Sequence, residues 1–340
     1  MKKYAILIFI LLSIPVTINA FSPPLLTDVQ VKMDKEHLIV TYNIDNFQDG
    51  INIGINIFRK ISQKLLTIKN DKMKGNSGII SPKEDYKITI DLKSLPDDFN
   101  LEHYVCFPKL TFKGRIYYEM LKIPKGKHPA VIEEDLIEFK RTSGFYISKF
   151  EVSNEQFAAF INNDGYEIKE YWLVKEGVME NQEVGWNFQG RFKMSAPFEW
   201  NLDEVPYCNS ASSNFIYGPV TTLRWFEANA FCNWMGCSLP DLTEISICFS
   251  FDSVENDTVY NPVCLEINDE GQFPLHFIKS NVSEWLIVSV ESNAPPCGPG
   301  CREMFYLKNN ALMYDEDPVK GISCPLYRNE MLGFRYKIKK

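Results

Sequence analysis

The spacing of apolar residues divides this chain into two parts. From residue 25 to 123 apolar positions recur at every second residue, which is typical of β-strands with one buried face. The strictest alternation places four isoleucines on one face: Ile51, Ile53, Ile55 and Ile57. Further strands are predicted at 38–44, 86–92, 104–107 and 115–121. Several short strands separated by turn residues predict an immunoglobulin-like β-sandwich over residues 21–123.

After residue 139 the pattern changes to helical spacing. Ser153 followed by Gln156 forms a plausible capping box and predicts a helix from Asn154 to Asn162. A second helix is predicted after Thr222, with one apolar face formed by Trp225, Ala228, Phe231, Cys232 and Met235. Gly236 is expected to end it. Long polar connections follow, so residues 139–340 are predicted to be an α+β domain rich in loops.

The segment 124–138 lies between the two parts. Pro124 and Pro129 flank a glycine and several charged residues, a composition that favours an extended linker.

The first 20 residues resemble a secretory signal peptide. Two lysines precede an apolar run from Ala5 to Val16, and Ala20 is a small residue at the expected cleavage site. A membrane-spanning helix needs about 20 apolar residues, and Pro15 interrupts this run. The mature protein is therefore expected to be exported to the periplasm, the cell surface or the medium, with no membrane span.

The charge balance excludes one class of partner. The net charge of −8 becomes −10 when residues 1–20 are removed, because they contain two lysines and no acidic residue. An acidic chain without clusters of Lys and Arg cannot neutralise phosphates, so nucleic acid is not an expected partner.

Nine cysteines fit an oxidising compartment, where disulfides are the default interpretation. Eight of them follow residue 200: Cys208, Cys232, Cys237, Cys248, Cys264, Cys297, Cys301 and Cys324. Disulfides are therefore expected mainly in the C-terminal domain. The pairing cannot be deduced from the sequence, and the odd count leaves one thiol over.

Four fragments of the C-terminal part resemble the formylglycine-generating, or sulfatase-modifying factor, family. They are 144–160 (GFYISKFEVSNEQFAAF), 225–234 (WFEANAFCNW), 281–285 (NVSEW) and 333–335 (GFR). The resemblance covers roughly 139–336 and implies a C-type-lectin-like fold. Leu239, Pro240 and Glu244 match a further segment of the family, which Asp241, Leu242 and Ile245 interrupt.

Active members of that family bind copper(I) through two cysteines about five residues apart and oxidise a substrate cysteine. Soft thiolate ligands suit copper(I). Counting back from Gly333, the corresponding positions here are Tyr314 and Val319. The resemblance therefore implies that the domain has kept its fold and lost the catalytic thiols.

Cys297 and Cys301 have nearly the family spacing but occur more than ten residues too early. Two interpretations stay open. The turn-forming Gly-Pro-Gly between them favours a loop closed by a disulfide. Alternatively, the two thiols bind copper, and the chain is an oxidase that generates formylglycine from a cysteine of an exported sulfatase.

The resemblance also implies a calcium site, because the family binds this ion near its Asn-x-x-Glu-Trp motif. The equivalent ligands are the carbonyl groups of Ser280 and Val282 and the carboxylate of Glu284. The fourth ligand would come from Phe277, which has no oxygen in its side chain. The alternative is that Glu284 accepts structural hydrogen bonds.

Other chemistries find little support. Of the four histidines, His37, His103, His128 and His276, only the last lies in the C-terminal domain. The three-histidine iron site of related sulfoxide synthases is therefore not expected.

We thus predict a non-catalytic exported protein with a binding or structural role and an unknown protein or glycan partner. The copper-dependent oxidase is the alternative, and carbohydrate recognition rests on the lectin-like fold alone.

Overall fold

The computed structural model describes most of the chain after the leader-like segment. The described residues are 22–59, 65–66, 68–83, 85–133, 136–175, 177–179, 181–198, 200, 218–249, 283–291, 303–308, 321–323 and 332–339. They form a mixed structure of helices and sheets. Within these ranges, no helix combines the length and the apolarity that crossing a bilayer requires.

The described residues of the N-terminal part form nine strands. They are β1 Leu25–Met33, β2 His37–Asp45, β3 Asn52–Arg59, β4 Leu65–Leu66, β5 Met73–Gly75, β6 Gly78–Ile79, β7 Tyr86–Asp91, β8 Tyr104–Phe112 and β9 Arg115–Tyr117. One sheet has the order β1-β2-β7-β5 and the other β4-β3-β8-β9, with β6 pairing with β3. The neighbouring strands in both sheets are antiparallel.

Strand β3 confirms the predicted alternation and also departs from it. Ile53, Ile55 and Ile57 are buried, as their spacing predicts. Asn56 and Phe58 are buried on the opposite face too. The second face of β3 is therefore exposed at Asn52 but buried at Asn56 and Phe58, where simple alternation predicts exposure.

The segment predicted as one strand over 115–121 forms two. β9 ends at Tyr117, and β10 Met120–Ile123 begins after a break. β10 pairs with β13 Phe145–Ser148, which lies in the C-terminal part. The chain thus crosses from one part to the other through a paired strand.

The expected extended linker is a hairpin. β11 Gly126–Glu133 pairs with β12 Leu136–Thr142 in an antiparallel register, with Pro129 opposite Phe139. The prolines at either end suggested a connector without partners. Pro129 is nevertheless accommodated within β11, at the edge of this two-stranded sheet.

The C-terminal part adds helices and the remaining strands. They are α1 Asn154–Asn162, α2 Val184–Phe192, α3 Trp225–Met235, α4 Leu242–Phe249, β14 Ser283–Glu291, β15 Glu303–Lys308, β16 Gly321–Ser323, β17 Leu332–Gly333 and β18 Lys337–Lys339. Two sheets result, with the orders β10-β13-β18 and β16-β15-β14-β17.

Helix α1 has the predicted bounds and cap. The Ser153 hydroxyl accepts a hydrogen bond from the Gln156 amide at 3.2 Å, and the Gln156 side chain accepts one from the Ser153 amide at 3.1 Å. Helix α3 also has the predicted bounds, and Gly236 ends it with φ of 75°. The residues predicted to form its apolar face are buried, but so is every other residue of α3 except Asn233. α3 is a central helix rather than a surface helix.

Side-chain contacts join the two parts across their junction. Arg115 Nε donates to the carbonyl of Trp234 at 2.7 Å, and Lys109 pairs with Glu155 at 2.7 Å. Gln156 Nε2 donates to a carbonyl of β9 at 3.1 Å. Gln156, the partner of Ser153 in the capping box of α1, therefore also contacts the N-terminal part.

Candidate functional site

The centre of the C-terminal domain is a fully buried ion pair between β14 and the segment after β17. Arg335 Nε lies 2.8 Å from one carboxylate oxygen of Glu284, and Nη2 lies 2.9 Å from the other. Both side chains have 0% exposure. This bidentate geometry is the strongest form of Arg–carboxylate pairing, and it uses both oxygens of the carboxylate.

Arg335 also ties the end of β13 to this centre. Nη1 donates to the carbonyls of Ser148 and Lys149 at 3.3 and 3.2 Å, and Glu151 lies 3.7 Å from Nη2. Burial alone would lower the pKa of Arg335, but the carboxylates of Glu284 and Glu151 raise it above its ordinary value. The guanidinium therefore stays charged and holds three chain segments together.

A second ionic cluster lies at the start of α4. Lys337 contacts the carboxylates of Glu244 and Asp241. Burial raises the pKa of Glu244, and Lys337 partly offsets that effect. Asp241 and Glu244 also cap α4 reciprocally, since each side chain accepts a hydrogen bond from the backbone amide of the other, at 2.9 and 2.8 Å. The cluster therefore fixes the helix start against β18.

Aromatic side chains form much of the hydrophobic core of the C-terminal domain. Phe157 of α1 stacks on Phe231 of α3 with ring centroids 5.5 Å apart, and Phe334 meets Phe231 edge to face at 5.4 Å. The Trp225 indole donates to the carbonyl of Leu286 at 2.9 Å. One hydrophobic core contains a residue from each of the four fragments that carry the family resemblance: Phe157, Phe231, Trp285 and Phe334.

The junction of the two parts contains a small cavity of about 130 Å³. Its wall includes the ion pair Lys149–Glu119, joined at 2.7 Å with both side chains 11% exposed. Burial raises the pKa of Glu119, and Lys149 opposes that shift. The rest of the lining is mainly apolar or aromatic: Val29, Val31, Leu101, Tyr104, Val105, Cys106, Phe107 and Phe150.

Four cysteines lie in the described part of the chain, and all four are buried free thiols: Cys106, Cys232, Cys237 and Cys248. The structure gives them no disulfide, contrary to the default expectation for an exported chain. Burial raises the pKa of Cys106 and of Cys248. Thiols of this kind are poor nucleophiles and poor metal ligands, because both roles need the thiolate. In the same described ranges, no group of three or more His, Cys, Asp and Glu side chains is arranged to hold a metal ion.

Comparisons with known proteins agree with this core. Residues 116–257 match the family described as "Sulfatase-modifying factor enzyme 1-like domain". The chain therefore carries a sulfatase-modifying factor enzyme 1-like domain. The match begins within β9, before the boundary at residue 123 that the strand pattern predicts.

Two curated relatives are similar at low identity. The formylglycine-generating enzyme of Mus musculus is 28% identical over 37% of this chain and 38% of its own length. The hercynine oxygenase of Mycolicibacterium thermoresistibile is 29% identical over 30% of this chain and 20% of its own length. The chain thus covers less than two fifths of either relative. The crystal structure of CarF is similar at 14% identity with a TM-score of 0.40, covering 65% of this chain and 98% of that one.

The residues predicted for the site of the sulfatase-modifying factor domain divide into two groups. Glu284 is described, and both of its carboxylate oxygens accept hydrogen bonds from Arg335. This pairing agrees with the alternative interpretation, in which Glu284 accepts structural hydrogen bonds. The other predicted positions lie outside the described residues: Phe277, Ser280, Val282, Cys297, Cys301, Tyr314 and Val319.

Two features of this domain were missed from the sequence. Asp241 was taken to interrupt the family segment, yet it caps α4 in the same manner as a Ser or Thr would. The signal that could have found α4 is Asp241 followed three residues later by Glu244, ahead of the apolar Ile245. The partner of Glu284, Arg335, lies 51 residues away, and no local pattern indicates that pairing.

Proposed function

We propose that this chain is an exported protein whose sulfatase-modifying factor domain has a binding or structural role and no longer catalyses the family's oxidation. One observation carries the proposal. The residues that build the domain's core are present, whereas the two positions that correspond to the copper-binding thiols are Tyr314 and Val319. Neither a phenol nor an isopropyl group replaces a thiolate as a ligand for copper(I).

The described core supports this division between fold and chemistry. Arg335 and Glu284 pair with each other, and Phe157, Phe231 and Phe334 pack on one another. These groups stabilise the domain and leave no charge of the ion pair facing solvent. None of these contacts uses the positions at which the family's copper-binding thiols are expected.

The N-terminal part fits a scaffold or spacer that carries the domain. Its two antiparallel sheets are compatible with an immunoglobulin-like sandwich, and the leader-like segment with export. The partner in this proposal is a protein or a glycan outside the cytoplasm.

The alternative function is a copper-dependent oxidase that generates formylglycine from a cysteine of an exported sulfatase. The observation that favours it is the Cys297–Cys301 pair, whose spacing is close to that of the family's thiols. The name of the murine relative agrees with this alternative.

A peptide assay separates the two functions. The full chain is loaded with copper(I) and incubated with oxygen, a thiol reductant and a peptide that contains the modified cysteine of a sulfatase. Mass spectrometry then measures conversion of the thiol to the aldehyde. The proposal expects no aldehyde and no loss of copper(I) binding in Cys297→Ser.

Cys106→Ser is the matched control, since it removes a buried thiol of the N-terminal part. Aldehyde formation that persists in Cys106→Ser and disappears in both Cys297→Ser and Cys301→Ser would establish the oxidase and reject the non-catalytic proposal.

A further inference from the structure

The C-terminal end of α3 has an unusual pair of residues at a well-defined turn. Gly236 adopts the left-handed conformation with φ of 75° and ψ of 30°. Its amide donates to the carbonyl of Asn233 at 3.2 Å, and the amide of Cys237 donates to the carbonyl of Cys232 at 2.9 Å. These two hydrogen bonds define a Schellman motif.

A Schellman motif brings two particular side chains together. The residue after the glycine folds back over the residue five positions earlier, and the two side chains commonly make an apolar contact. In this chain both are cysteines. The Cys237 Sγ donates to the carbonyl oxygen of Cys232 at 3.4 Å. The two residues are 7% and 1% exposed.

The surroundings of the thiols provide a second observation. The hydroxyls of Tyr117 and Tyr336 are buried and have no hydrogen-bond partner among the described residues. Burial raises the pKa of both tyrosines, and Cys237 adds to the shift. The nearby Gln156 side chain is occupied by hydrogen bonds to Ser153 and to β9.

Oxidation of the pair leaves no buried polar group without its hydrogen bond. The Cys237 thiol donates to the carbonyl of Cys232, and the same carbonyl also accepts from the Cys237 amide. A disulfide removes the S–H donor and leaves this carbonyl with its backbone partner. The two sulfur atoms can still accept weakly from the hydroxyls of Tyr117 and Tyr336.

We propose that Cys232 and Cys237 form an intramolecular disulfide that closes the C-terminal turn of α3. Each thiol loses its hydrogen and one S–S bond forms, while the two electrons and two protons reduce one external disulfide, such as oxidised glutathione, to two thiols. The site is independent of the domain's catalytic state, because it uses neither Cys297 nor Cys301.

The burial of the pair determines when the bond forms. Burial raises the pKa of Cys237 well above its ordinary value, and the adjacent thiol of Cys232 adds to the shift. Thiol–disulfide exchange needs a thiolate, so the buried cysteine pair reacts slowly in the folded protein. The disulfide therefore forms before the core closes over α3, and small thiols reduce it only after the protein unfolds.

A disulfide map of the full chain tests the proposal. The reduced, unfolded protein is refolded in reduced and oxidised glutathione, remaining thiols are alkylated in denaturant, and the chain is digested with chymotrypsin. Cleavage after Trp234 falls between the two cysteines, so the bond joins two peptides that otherwise separate. We expect these peptides as one linked species that disappears on reduction.

Two variants make the result specific. Cys237→Ser should eliminate the linked species and leave Cys232 alkylated, whereas Cys248→Ser should retain it. The thiol of Cys106 should be alkylated throughout as an internal reference. Full alkylation of Cys232 and Cys237 in refolded wild-type protein, or a bond from either one to a different cysteine, would overturn the proposal. If refolding in vitro fails, the same disulfide map is made on protein that has been exported to an oxidising compartment.

Discussion

The two parts of this protein stabilise their cores by different means. The N-terminal sheets bury mainly aliphatic residues on alternating positions, among them Val40, Ile53, Ile88 and Ile90. The C-terminal core buries stacked aromatic rings and a complete ion pair. An ion pair of the N-terminal part, Arg59–Asp98, is instead 46% and 48% exposed. The comparison shows that one chain can place charge at the surface in one part and at the centre in the other.

The largest expected effect comes from breaking the central ion pair. Arg335→Met leaves Glu284 and Glu151 buried without their cation, and removal of one partner of a buried pair costs about 3–5 kcal/mol. Denaturant unfolding measures the change in free energy. The matched variant Arg59→Met removes an exposed pair and should cost about 0–1 kcal/mol. Equal losses in the two variants would show that the buried pair has no special role.

The difference between the two parts also explains which features of the structure the sequence could predict. Alternation predicted the strands of the N-terminal part, because a sheet with one buried face repeats every two residues. Local caps predicted α1 and α3, since Ser153, Gln156 and Gly236 act within a few residues of themselves. The predicted family resemblance rested on contiguous fragments and is confirmed.

The features that escaped prediction depend on distant residues. Arg335 and Glu284 are separated by 51 positions, so only the folded chain brings them together. The hairpin 126–142 has prolines and charges that suggested a linker, yet its strands pair with each other. The burial of α3 on every side follows from neighbours in both parts of the chain, which its own sequence does not specify.

The aromatic core gives the second largest effect. Phe157→Ala removes a ring that packs on Phe160, Phe231 and Phe334, and truncation of a buried Phe costs about 3–5 kcal/mol. Ile88→Val in the N-terminal core is the comparison and should cost about 0.5–1.5 kcal/mol. Chemical denaturation followed by tryptophan fluorescence measures both. A smaller loss for the Phe157 variant would mean that the aromatic core collapses around the deletion.

The cap of α1 should contribute less. Ser153→Ala removes the acceptor for the Gln156 amide, a change that typically costs about 1 kcal/mol. Ser153→Asp retains a capping acceptor and should restore most of the stability. Thermal unfolding of the three proteins measures the effect, and equal melting temperatures for the Ala and Asp variants would argue against a capping role.

The smallest effect concerns pH at the junction, where Glu119 faces Lys149 and, at longer range, Asp28. Burial raises the pKa of Glu119 in the folded protein. At a pH between the pKa of the unfolded state and that of the folded state, the Glu119 carboxylate is therefore protonated to a greater extent in the native protein. The resulting stabilisation is complete below the unfolded pKa and is lost as the pH rises through the folded pKa. We therefore expect the unfolding free energy of wild type, relative to Glu119→Gln, to increase as the pH is lowered from neutral towards the ordinary glutamate pKa.

Lys149→Met sharpens this test because it removes the cation that opposes the shift. Without it, the pKa of Glu119 should rise further, and the pH-dependent gain should begin nearer to neutral pH. Urea unfolding at a series of pH values measures all three proteins. A wild-type advantage over Glu119→Gln that grows with rising pH would instead mean that Lys149 outweighs burial, and the junction would then resemble the Arg335–Glu284 pair, whose charges stabilise each other in full.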